Sequence, residues 1–205
     1  MKISKINITI IGITWFLIVV LGMWGLLQYA NFPGTSGNPP KKWVTYSQIH
    51  STSKLPTLIL FAHPHCPCTR ATIGELSVIM TKCKNRVNAF VIFFKPKFFP
   101  TKWVETDLWY SAKNIPGVKV ISDTGGTKIS LFKAFTSGHA LLYNTTGDLI
   151  FSGGITRARG HSGDNPGRDG IISLINEGVT DIRKTPVFGC SLVNKKLKQS
   201  MNSRN

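Results

Sequence analysis

The feature that most limits what this chain can fold into is an uncharged, almost wholly apolar run from Ile6 to Leu27. At ~1.5 Å per residue, about 20 residues cross the ~30 Å hydrocarbon layer of a bilayer. Trp24 and Tyr29 stand near its end, where amphipathic rings settle at the interface. Lys2 and Lys5 precede the run, and no charge follows it until Lys41. The positive-inside rule then assigns residues 1–30 to a cytoplasmic N-terminus and single-pass anchor, in contact with lipid through residues 6–27. A cleaved signal peptide would carry a shorter apolar core and small residues at its exit. Gln28-Tyr29-Ala30 fits that poorly and no lipid-accepting cysteine follows, so an uncleaved signal-anchor is expected.

Beyond the anchor, residues 31–46 begin with NFPGTSGNPP and read as a flexible linker. Residues 47–192 read as one domain, and residues 193–205 as a basic, disordered tail. Hydrophobic content of 42% suffices for a core. Outside the anchor 23 basic residues face 9 acidic ones, a formal +14. The basic residues are dispersed, with no arginine-rich arm and no aromatic-interleaved stripe, so nucleic acid is not expected as a partner. A solvated basic face near phospholipid headgroups is expected instead.

The domain alternates short apolar runs with helical spacing. Thr57–Ala62 and Asn88–Lys95 read as buried strands, and Val118–Ser122 as a shorter one. Thr69–Lys82 reads as a helix, as do Val104–Lys113 and a turn over Thr127–Phe135. His139–Asn144 and Asp148–Ile155, joined at Thr145-Thr146-Gly147, read as a hairpin. Asp164-Asn165-Pro166 reads as the start of a helix that stops near Gly178. This order predicts an α/β fold with a central mixed sheet flanked by helices, in a thioredoxin-like arrangement. The loop after the first strand then becomes the reactive position, because reactive groups collect at the carboxyl ends of such strands.

That loop reads His63-Pro64-His65-Cys66-Pro67-Cys68-Thr69-Arg70. Pro67 suits the first helical position and makes Cys66 the N-terminal cap, where free amides and the helix dipole favour a thiolate. His63, His65 and Arg70 add positive or proton-carrying groups nearby. Two sulfurs so placed either cycle between dithiol and disulfide or grip a soft metal ion. Inert, buried cysteines would make the domain a plain interaction module.

The stretch LILFAHPHCPCTRATIGEL, the hairpin SGHALLYNTTGDLIFSGGIT, the segment RGHSGDNPGR and the ending TPVFGC resemble RedB-type proteins, bacterial membrane-anchored thioredoxin-like proteins. The resemblance implies an inner-membrane protein, C-terminal domain extracytoplasmic, with a redox or metal-thiol role. Cys66 and Cys68 would be its catalytic pair, and an extracytoplasmic protein or electron donor its partner. The redox role needs no cofactor. TlpA- and ResA-like oxidoreductases carry CxxC and a proline before the hairpin, where this chain reads Thr136-Ser137-Gly138-His139. A histidine there is similar to the SCO copper chaperones, which implies the alternative: Cu(I) held by Cys66, Cys68 and His139. In that alignment Cys68 matches the second loop cysteine, Pro64 stands at the first, and Cys66 substitutes for it. Otherwise His139 reads as a neighbouring group or a hairpin cap.

Cys83 and Cys190 form a second pair, expected as a structural disulfide across 107 residues, for which chain entropy gives ~4–5 kcal/mol. The other reading makes Cys190 a resolving thiol for the Cys66-Pro67-Cys68 site. The loop from Arg157 to Arg168, with His161 and Asp164, reads either as a lid or anion-binding loop over the active site, or as a glycine-rich surface connection with a helix cap.

Overall fold

The computed structural model describes residues 5–45, 49 and 54–193, in two units that divide between Phe32 and Pro33. The first unit is helix α1 (Lys5–Asn31). Within it Ile8–Asn31 has a mean hydropathy of 2.4, and none of that surface is buried by protein. A helix apolar on every side has no core-facing stripe and is satisfied only by an apolar surround. This one is long and apolar enough to cross a membrane.

The second unit is built on a five-stranded sheet. In chain order its elements are β1 (Thr57–Ala62), α2 (Pro67–Lys82), β2 (Asn88–Lys95), a 3-10 turn (Thr101–Trp103), α3 (Asp107–Lys113), β3 (Val118–Thr124), α4 (Thr127–Leu131), β4 (His139–Tyr143), β5 (Leu149–Gly154) and α5 (Pro166–Asn176). The strand order is β3-β2-β1-β4-β5. Three strands run parallel, β1 beside β2 and β2 beside β3, while β4 and β5 are antiparallel to their neighbours. Every residue of β1 is buried, which explains its unbroken apolar run: a central strand covered on both faces has no polar side. Leu58, Leu60 and Ala62 face the α2 side with Ala140 and Leu142, against Leu76, Ile79 and Met80. Ile59 and Phe61 face the other way with Leu141 and Tyr143, against Ile129 and Phe132.

Two helices are shorter than their spacing predicts. The Val104–Lys113 helix begins at Asp107, because Pro100 and the 3-10 turn hold the chain and extended Thr106 caps the helix. The helix expected over Thr127–Phe135 ends at Leu131, since Lys133 takes a positive φ of 49° that a right-handed helix cannot contain.

The flexible-linker expectation for residues 31–46 is corrected over 33–45, which pack on the domain. Gly34 N donates to Val187 O (2.8 Å), Thr136 Oγ1 to Thr35 O (2.8 Å) and Tyr143 OH to Pro40 O (2.9 Å). A Cβ on Gly37 would lie 1.4 Å from Lys133 O, so glycine is what lets the backbones meet. Trp43 then stacks edge-on against Phe132 and Tyr143. Glycine and proline here serve close packing rather than freedom. Of the expected tail, residues 194–205 lie outside the described residues, as do 46–48.

Candidate functional site

Strand β1 delivers the chain to the carboxyl edge of the sheet, where it turns at once into α2. Cys66 caps that helix in an extended conformation (φ −94°, ψ 117°) with Pro67 in the first turn, as the sequence predicts. Cys66 N donates to His63 O at 3.2 Å and closes the turn. Ser137, just ahead of β4, ties the loop down: its hydroxyl accepts from His63 N (2.9 Å) and meets Thr69 Oγ1 (2.9 Å).

Cys190 is brought to the same place. The chain beyond α5 returns along β5, where Gly154 N donates to Pro186 O (3.2 Å) and Thr185 Oγ1 to Gly154 O (2.7 Å). It then lies antiparallel on the residues before β4: Thr136 bridges Ser191, and Ser137 N donates to Cys190 O at 2.8 Å. The thiol and backbone amide of Cys190 both hydrogen-bond Cys66. The structural disulfide expected between Cys83 and Cys190 is therefore corrected. Cys83 caps the far end of α2, a helix of 16 residues or ~24 Å, while a disulfide needs Cα atoms within ~7 Å. All four thiols are free, and Cys83 is buried in the apolar core with its thiol pushed up, first by burial.

The electrostatics separate the three clustered thiols. Burial alone would raise Cys66, but hydrogen bonds from the Cys190 thiol and amide, the Cys68 amide and the Thr69 hydroxyl outweigh it and bring Cys66 below the ordinary thiol value. Cys68 is pushed up by burial and by the Cys66 charge. Cys190 is pushed up to about 12 by burial, by its hydrogen bond to Cys66 and by the charge there. Within one cluster, then, Cys66 is shifted toward the thiolate and its two neighbours toward the thiol. Cys66 has no exposed surface, whereas Cys68 and Cys190 are half-buried.

The positive group at the site is Arg159 rather than the Arg70 expected from the motif. Arg159 hydrogen-bonds the Cys68 thiol, eases both Cys68 and Cys190 downward, and donates from Nη1 to Gly189 O at 2.6 Å. Arg70 turns outward to pair with Asp107 on α3, holding that carboxyl below its usual range. From the 157–168 loop, Arg159 is the residue that reaches the thiols. Buried Glu75 of α2 anchors the loop, accepting from Gly163 N (2.7 Å), Asn165 Nδ2 (3.3 Å) and Arg168 Nη1 (2.9 Å). No periodicity or motif marks Arg159 or Ser137. They reach the site only through long-range packing, and the arginines of that loop were the only hint.

His63 and His65 form a rim with the 96–103 loop. The His65 ring lies 4.6 Å from that of Trp103, and its Nε2 donates to Trp103 O (3.0 Å). The His63 ring packs on Phe94 and Trp103 and is pushed toward its neutral form by burial, then by His65. Phe98 (98% exposed) and Phe99 (49%) extend this rim into solvent.

The trio expected to hold copper is not assembled. His139 pairs with Phe61 across β1 and β4 and so shares the sheet face turned away from α2, whereas Cys66 and Cys68 begin that helix. Its Nε2 meets Ser152 Oγ at 2.9 Å, and its buried Nδ1 has no partner. Burial and then the Lys184 charge lower its pKa to about 4. Although Cys66 touches two other thiols, among the described residues no three His, Cys, Asp or Glu side chains are arranged to close on one metal ion. The residues present do not fit the copper site.

A mixed sheet in this order, with a cysteine-capped helix leaving its first core strand, defines the thioredoxin-like class of α/β protein, and the chain has that fold. No protein-family profile and no curated protein matches it. Among solved structures it is similar to an uncharacterized conserved protein from Geobacillus kaustophilus (17% identity, 80% of this chain and 93% of that one, TM-score 0.55). It is also similar to a hypothetical protein from Sinorhizobium meliloti 1021 (14% identity, 78% and 93%, TM-score 0.54). A fainter likeness is to the exposed lipoprotein thioredoxin of Streptococcus pneumoniae TIGR4 (13% identity, 61% and 86%, TM-score 0.43). At these identities the likeness is one of fold.

Proposed function

We propose that this chain is a membrane-anchored thiol-disulfide redox protein of RedB type, working on the extracytoplasmic side of the inner membrane, with Cys66 as its attacking thiolate. The observation that carries the reading is the state of Cys66: a helix-capping cysteine whose hydrogen bonds hold it below the ordinary thiol value despite full burial. The thiolate is the nucleophile of disulfide exchange. Cys66 therefore attacks a sulfur of a substrate disulfide, forming a mixed disulfide and expelling a thiolate. A second thiol of the cluster then releases the other half, and two electrons have passed to the substrate. The extracytoplasmic side follows from Lys2 and Lys5 ahead of the apolar helix.

The test is equilibration of the full-length protein, in detergent, with glutathione redox buffers. Cys66→Ser is expected to abolish formation of an intramolecular disulfide, while Cys83→Ser leaves it intact, since Cys83 sits at the other end of α2. Equal loss in both variants, or no disulfide in the wild type, overturns the redox reading.

A further inference from the structure

We propose that Cys190 is the second redox-active thiol of this site, so that Cys66 forms its intramolecular disulfide with Cys190 and the segment carrying Cys190 acts as a cover over the reactive sulfur. The inference rests on the redox reading above and names the partner thiol within it.

The geometry is that of an extended peptide added to an exposed backbone edge. Residues 135–137 offer the edge, and residues 190–192 occupy it: Ser137 N to Cys190 O at 2.8 Å, the Thr136–Ser191 bridge, and Leu192 N to Phe135 O at 2.9 Å. A Cβ on Gly189 would lie 2.1 Å from Ser137 O, so this close approach needs glycine immediately before the cysteine. Arg159 Nη1 fastens the same residue from the other side, at 2.6 Å to its carbonyl. Docked this way, the segment presents Cys190 to Cys66 as a bound peptide would present its own cysteine, and Cys66 is left with no exposed surface.

Cys68 is the other neighbour, and covalent geometry disfavours it. The Cys66 and Cys68 thiols also meet, but a single residue separates them in the chain. Pro67 between them fixes its φ, so a bridge across it closes a small, strained ring. Cys190 approaches from a separate segment and carries no such constraint.

The steps balance. With Cys66 covered, reaction begins when the cover lifts at Gly189-Cys190. Cys66 thiolate attacks one sulfur of a substrate disulfide and expels the first thiolate. Cys66 is then neutral, and two of the causes that hold the proton on Cys190 are gone, while Arg159 still favours its ionised form. Cys190 passes its proton to the expelled thiolate, attacks the Cys66 sulfur and displaces the second substrate thiolate. One disulfide has been broken and one formed, and the substrate has gained two electrons. A dithiol donor reduces the Cys66–Cys190 bond and completes the cycle.

The experiment maps the bond. The reduced full-length protein, in detergent, is equilibrated with a glutathione redox buffer, its free thiols are blocked under denaturing conditions, and it is cleaved after Lys and Arg. Cys66 and Cys68 share the peptide 55–70, and Cys190 lies in 185–195. The expected product is 55–70 linked to 185–195, with the link kept in Cys68→Ser. Cys190→Ala is expected to accumulate glutathione on Cys66 at least ten-fold above wild type. A disulfide confined to 55–70 with Cys190 free overturns this inference and leaves the redox reading standing. Loss of the link in Cys68→Ser overturns it as well, because the bond would then be Cys68–Cys190. No disulfide in any form overturns the redox reading and this inference with it. If Cys190→Ala does not fold, the wild-type and Cys68→Ser maps decide alone.

Discussion

Cys66 and His139 are both fully buried titratable groups, and their surroundings send them in opposite directions. Donors around the Cys66 sulfur hold its pKa below the ordinary thiol value, and Cys190 supplies two of them. Replacing Cys190 with alanine is therefore expected to raise the Cys66 pKa toward that of an ordinary thiol, read from the pH dependence of ultraviolet thiolate absorbance. An unmoved titration would show that the helix terminus suffices. His139 is pressed by burial and by the Lys184 charge, with a pKa of about 4 against 6.5 unfolded. A depressed histidine means that the unfolded chain binds the extra proton first. Stability is then intact above about pH 6.5 and falls as pH drops toward 4, by up to about 3 kcal/mol. His139→Gln, which keeps a donor for Ser152, is expected to flatten that acid limb in melting curves between pH 7 and pH 4. At this scale the motif was legible: proline after a cysteine at a strand-to-helix turn specifies the cap on local grounds alone. Its surroundings were less so: Cys190 at this site was one of two open readings, and Arg159 and Ser137 come from segments whose arrival depends on the fold.

Helix α2 joins the reactive end of the molecule to its core, and Glu75 is the residue that fixes it to the 157–168 loop. Its carboxylate meets Arg168 and Asn165 with almost no solvent access, and Asn165 Oδ1 in turn caps α5 by accepting from Arg168 N at 2.7 Å. Glu75→Ala leaves Arg168 paired with Asp164 and Asp169 but takes the acceptor from Gly163 N and Asn165 Nδ2, so it is expected to cost about 2–3 kcal/mol in denaturant unfolding. Asn165→Ala is expected to cost less, about 1 kcal/mol for the cap and somewhat more for the lost contact to Glu75. If Glu75→Ala unfolds like wild type, the loop is not anchored through this carboxylate. The strand and helix runs were readable element by element, since burial on both faces of β1 and the turn chemistry of the hairpin each leave a local pattern. Residues 33–45 misled because glycine and proline serve close packing and free linkers equally well. The difference lies in Lys133 and Tyr143, far along the chain, where the carbonyl that crowds Gly37 and the hydroxyl that reaches Pro40 are found.

On the scale of the whole molecule, the packed segment decides where the folded unit begins. A soluble form starting at Lys41 keeps Trp43 but loses the bonds of Gly34 and Thr35 and the acceptor at Pro40, so the Tyr143 hydroxyl loses its partner. A form starting at Pro33 keeps them all. The longer form is expected to melt several degrees higher, because each lost hydrogen bond is worth about 1 kcal/mol net and a buried unpaired hydroxyl costs more. The Gly34 bond runs to Val187 O, on the segment that carries Cys190, so the effect should reach the site. In the Lys41 form that segment is held by fewer bonds, and Cys190 should be alkylated faster than in the Pro33 form under identical native conditions. Equal alkylation rates with unequal melting would confine residues 33–40 to a role in stability. Equal melting would mean that they detach readily and that the chain does behave there as a linker.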